Sequence, residues 1–133
     1  MSGAMYSAVK AALIVALRDD AALAALVHHI DDGEAKTPPA PYGRVAEASA
    51  SEWGAKDRPG HDLRIELLFA DRGDGARLVD IGAAACRVIA AMPRVIDGWE
   101  TSGFAVLRTR QVRARGGLNQ MTISLRLRGW REV

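Results

Sequence analysis

Residues 61–93, HDLRIELLFA-DRGDG-ARLVDIGAAACRVIAAM-P, decide the fold. In the first ten residues Leu63, Ile65, Leu67 and Phe69 alternate with Asp62, Arg64 and Glu66. Successive side chains of a strand point to opposite faces, so this segment predicts a strand with one buried and one polar face. Residues 71–75 are turn-formers, and Asp74 suits a helix N-cap. From residue 75 to 92, Leu78, Ile81, Ala85, Val88, Ile89 and Met92 recur at helical spacing, and Pro93 forbids continuation. Asp80 and Arg87 fall on the outer side of that helix. A half-buried strand followed by an amphipathic helix predicts a helix lying on a sheet.

Downstream, Asp97-Gly98 marks a turn, and residues 103–114 and 119–130 read as a terminal hairpin. In its second arm Met121, Ile123, Leu125 and Leu127 alternate with Thr122, Ser124, Arg126 and Arg128. A three-residue loop, 115–117, pairs Leu107 with Leu125, puts both apolar rows on one face, and gathers Arg108, Arg110, Arg126 and Arg128 on the other. A two-residue loop would mix the faces, so the longer turn is preferred.

Upstream, Met5, Val9, Ala12, Leu13, Ala16 and Leu17 form one stripe of a helix over 4–18. Asp20 can cap a short second helix over 21–28, or the two stretches form one helix with a kink. Residues 31–41 contain three prolines and a glycine and form an extended connector. Residues 42–48 read as a modest strand, and 49–60 as a long polar loop around Trp53, of the kind a partner orders. The expected order is α-α-β-β-α-β-β. It describes one α+β domain over 1–133, with a mainly antiparallel four-stranded sheet and helices packed on one face.

Composition narrows the function classes. The chain has 133 residues, 49% hydrophobic and 26% charged, but only 5% aromatic, so small aliphatic side chains must build the core. Residues 101–133 hold seven Arg against one acid, net +6; residues 1–100 hold eleven cations against fifteen acids, net −4. A basic C-terminal quarter on an acidic body can orient partners, either nucleic acid or the acidic side of another copy. Cys86 is the single cysteine, which forbids an intramolecular disulfide and leaves a Cys-based zinc site without partners. Residues 1–20 lack the pattern of a signal peptide, and no apolar run has the length of a membrane span.

Candidate chemistry is sparse. His28-His29 with Asp31 and Asp32 has the right residue types for metal, but adjacent helical residues diverge by about 100° and read as a solvated helix end. His61 at a strand start lacks a nucleophile elbow anywhere in the chain. Gly73-Asp74-Gly75 lacks the remaining elements of a phosphate-binding loop. Glu47, Glu52, Asp57 and Glu66 show no pairing in their spacing. The expectation is therefore no catalytic residue, no cofactor and no metal. The arginine face of the hairpin stands above this background, as a solvated face, a subunit interface, or a non-specific phosphate contact. Sequence-specific readout is not expected, because no aromatics interleave with those arginines in the sequence.

The order of signals resembles a known family. A helical start runs through Ala11-Ala12-Leu13 to Arg18-Asp19-Asp20-Ala21-Ala22-Leu23-Ala24-Ala25-Leu26-Val27. Then follow Pro38-Pro39-Ala40-Pro41-Tyr42, the Ser49-Ala50-Ser51-Glu52-Trp53-Gly54 segment, the 63–69 strand, the 75–91 helix and the hairpin. Together they resemble the small tail-completion, or tail-terminator, proteins of long-tailed phages, prophages and gene transfer agents. That resemblance implies a non-enzymatic virion assembly protein, forming a hexameric ring with a DNA-conducting lumen. It would cap the tail tube and join it to the head connector. Its implied partners are copies of itself, the tube protein, the connector or stopper protein, and passing DNA, with no membrane. Assembly would take place in the bacterial cytoplasm and end at the neck of the particle. Another neck role, head-closure adaptor or stopper, is the alternative, with a small DNA-binding or enzymatic domain behind it. Arg108, Arg110, Arg126 and Arg128 are the lumen or subunit-interface candidates, and Trp53, Lys56 and Arg58 the docking-loop candidates.

Overall fold

A computed structural model describes residues 2–33, 39–55, 57–113 and 115–131. The elements are α1 (Ser2–Asp19), α2 (Ala21–Leu26), β1 (His29–Asp31), β2 (Tyr42–Ala55), β3 (Arg58–Arg72), α3 (Ala76–Ala90), β4 (Val95–Ile96), β5 (Trp99–Thr101), β6 (Ala105–Arg113) and β7 (Leu118–Trp130). The class is α+β, as expected, but the sheet has seven strands, not four. Its path is β1-β2-β3-β7-β5-β4, with β6 also paired to β7. The two- and three-residue strands β1, β4 and β5 are too short to carry a period, which is why they escape the sequence.

The larger correction concerns residues 49–60. Residues 49–55 and 58–60 are strand. β2 runs on to Ala55 and pairs antiparallel with β3 as far as Ala55 against Arg58. The strand lacks a hydrophobic alternation because it has nothing to bury: residue 46 and residues 48–54 are exposed whichever way they point.

The helices cover one face. Leu63, Ile65, Leu67 and Phe69 of β3 pair with Leu127, Leu125, Ile123 and Met121 of β7, and all eight are buried. Met5, Val9, Leu13 and Leu17 of α1, spaced four apart, meet them together with Leu78, Ile81, Ala85, Val88 and Ile89 of α3. Gly43 stands opposite Phe69, whose ring lies over it; a Cβ there would fall 2.5 Å from Phe69 Cε1. Asp20 caps α2, accepting from the Leu23 amide at 2.9 Å, and also takes both Arg87 Nη groups of α3 at 3.0 and 2.8 Å. Arg18 Nε donates to the Ile30 carbonyl at 2.7 Å and so fastens β1 to the end of α1. α2 ends at Leu26, so His28 and His29 lie beyond it, both exposed, with His29 in β1. Asp97 (φ 49°) and Gly98 (φ 80°) form a tight β4–β5 turn.

The terminal hairpin turns through 115–117. From Arg113 opposite Asn119 to Arg108 opposite Ser124, its register is the one the three-residue loop predicts. A register shift then intervenes. Val106, not Leu107, opposes Leu125, and Leu107 becomes the extra residue. The expected apolar row of β6 therefore buries nothing: all nine residues of the strand are exposed. The helices stop at β7, and β6 lies beyond their cover.

Candidate interaction face

The sheet face away from the helices is polar and assembled by register. Arg128, Arg126, Ser124 and Thr122 alternate with the buried row of β7, and they pair with Asp62, Arg64, Glu66 and Leu68 of β3. Arg108 and Arg110 of β6 stand opposite Ser124 and Thr122. The four candidate arginines thus occupy one face, on two adjacent strands.

Their environments differ. Asp62 is a hub. Arg126 Nη2 reaches its Oδ2 at 2.7 Å, Arg128 Nε at 3.2 Å, and Arg64 Nε lies 3.7 Å from Oδ1. The Arg126 hydrogen bond, followed by that of Arg128, holds the Asp62 carboxyl below the usual carboxylate range, outweighing the desolvation that would raise it. The same bond raises Arg126. Arg108 and Arg110 make no ion pair or hydrogen bond among the described residues, so their charge is open to a partner.

At one end of this face the aromatic residues enter. Trp53 of β2 and Trp130 of β7 both register with Gly60 of β3. With no side chain between them the two indoles lean together, centroids 5.7 Å apart at 50°. Arg128 lies 5.3 Å from the Trp53 ring and Arg58 5.2 Å from the Trp130 ring. Glu100 of β5 anchors the group, accepting from Trp130 Nε1 at 2.8 Å and from Arg58 Nη2 at 3.3 Å. Arg128 therefore bridges the Asp62 hub to the indoles. The arginine candidates and the docking candidates Trp53 and Arg58 form one continuous surface, and aromatic rings do interleave with cations. Lys56 lies outside the described residues. Trp130, Asp62 and Glu100 join this surface only through the strand register, which no local stretch of sequence shows.

Of the other candidates, Glu66 lies on this face opposite Ser124, whereas His61 does not. His61 is buried on the helix side with its ring 5.8 Å from Trp99, and its Nδ1 has no hydrogen-bond partner among the described residues. Among the described residues no three of His, Cys, Asp and Glu gather as a metal site would, and no helix is long and apolar enough to cross a membrane.

The family model described as tail completion protein gp17 matches residues 11–128. The chain belongs to that family. Solved structures share the tail-completion fold. A chain of the virion of a native gene transfer agent particle superposes with a TM-score of 0.85 at 22% identity, covering 96% of this chain and 98% of that one. The bacteriophage SPP1 gp17 protein superposes with a TM-score of 0.65 at 14% identity, covering 93% and 90%. No curated protein sequence matches. Membership gives this protein a structural role in phage tail completion.

Proposed function

We propose that this tail-completion protein acts without catalysis, as a ring subunit that caps the tail tube and joins it to the head connector at the particle neck. Its cationic sheet face borders the lumen through which DNA passes. The family and the gene transfer agent neighbour support the particle role. The observation that carries the finer reading is the pair Arg108 and Arg110, exposed and without an ion pair or hydrogen bond among the described residues. Unpaired guanidiniums on a smooth surface make non-specific phosphate contacts that let DNA slide instead of holding it at one sequence. The Trp53–Trp130 end of the same face, apolar and rimmed by Arg58 and Arg128, suits docking of the tube or connector protein.

Sedimentation of the purified protein, with mass analysis of isolated particles, tests the reading. It requires an oligomer larger than a dimer and the chain's presence in particles. The double charge reversal Arg108→Glu/Arg110→Glu should impair DNA passage. Absence of the protein from mature particles would overturn the reading.

A further inference from the structure

Both flanks of the sheet are bare. β6 is exposed at all nine positions, with Val106, Leu107 and Val112 41–48% exposed, and its outer edge pairs with nothing among the described residues. On the opposite flank β1 pairs with β2 only at Tyr42, Gly43 and Arg44, and Gly33 lies against Val45, so the edge of 46–55 has no strand partner among the described residues. An unpaired strand edge is a template for another strand, and a flank that buries neither face gains little from its own chain.

The two edges complement each other. β6 carries Arg108, Arg110 and Arg113 and no acid; 46–55 carries Glu47 and Glu52 and no cation. Directions fit as well. β2, β3, β7 and β6 alternate antiparallel, so β6 and β2 of one chain run in opposite senses. Set side by side with their helices on the same face, β6 of one copy and β2 of the next continue the alternation. Pairing β6 with β6 would instead bring arginines against arginines, which is repulsive. We propose that copies join head to tail by antiparallel addition of β6 to the open edge of β2 in the next copy, which makes the sheet continuous around the assembly. This rests on the copy-to-copy assembly proposed above and adds its geometry. A heterologous contact of this kind closes into a ring when its rotation closes.

Cysteine pairs test it. In a Cys86→Ala background, Thr109→Cys on β6 is combined in turn with Ala48→Cys, Ala50→Cys or Glu52→Cys on β2. All four positions are exposed and lie on the helix side of the sheet. Within one chain β3 and β7 separate these strands by three spacings, about 14 Å, against the roughly 7 Å that a disulfide spans between Cα atoms. Any bond must therefore join copies. In protein recovered from oxidised particles, a ladder of disulfide-linked multimers at one of the three positions is expected, and none with Thr109→Cys alone. Particles that contain the protein but show no link at any position overturn the edge pairing and leave the ring reading standing. A dimer from Thr109→Cys alone, or a bond to a different polypeptide, overturns it in favour of a two-fold contact or a tube partner. Absence of the wild-type protein from particles overturns the ring reading itself.

Discussion

Replacing Asp62 by Asn removes one negative charge from among three guanidiniums while keeping the shape of the side chain. The carboxylate is 12% exposed, but Arg126, Arg128 and Arg64 are 31%, 39% and 54% exposed. Only the close Arg126 contact approaches the strength of a shielded charged hydrogen bond, and the other two are screened by water. The sum for Asp62 is about 1–2 kcal/mol. With a urea slope near 2 kcal/mol/M for a domain of this size, the unfolding midpoint should fall by about 0.5–1 M. The pH dependence carries a definite sign. Asp62 is depressed in the folded state, so its contribution is present above the unfolded carboxylate pKa. It is lost as pH falls through the folded value. The gap between wild type and Asp62→Asn should therefore be full at neutral pH and close on acidification. Retention on a phosphate-bearing matrix should move the other way, because three arginines lose their internal counter-charge. A variant equal to wild type in urea at neutral pH, or a gap that widens as pH falls, would refute the hub.

Gly43→Ala should cost about 1–3 kcal/mol, read by thermal unfolding, because the new methyl meets the fully buried Phe69 ring and neither can yield. Leu125→Ala should cost about 2–5 kcal/mol in the same assay, as it opens a cavity at the centre of β7. Asp20→Ala should lower the melting temperature more than Asp20→Asn, since Asn keeps the α2 cap and loses only the charge facing Arg87. Arg108→Glu/Arg110→Glu should leave stability within about 0.5 kcal/mol of wild type; its effect belongs in DNA retention, measured as a flatter salt dependence.

The parts of the fold that bury something were legible. Leu63 to Phe69 show their alternation because α1 and α3 cover one side of β3, and Leu78 to Ile89 show their stripe for the same reason. The extended half of β2 was not legible. Ser49 to Gly54 are bare on both faces, so burial imposes no pattern on them, and composition alone reads as a loop. The hairpin turn was readable from Gly116 and Gly117, whose left-handed φ values of 78° and 77° the sequence allows. The bulge at Leu107 was not, because an exposed strand tolerates an extra residue at little cost. The four arginines could be assigned to one face from local alternation. Their junction with Trp53 and Trp130 required knowing that β2, β3 and β7 meet at Gly60, which no local window contains.

The three-residue strand β1 has a geometric consequence out of proportion to its size. Held by Arg18, it occupies the start of β2's rim and acts as a doorstop, so a strand arriving there must begin past Arg44. In a sheet closed by such arrivals, the step between successive subunits would be dictated by this stop. Step and subunit number together set strand tilt and bore. Lengthening or deleting β1 would then retune the bore of such a closed sheet without touching a residue that faces it.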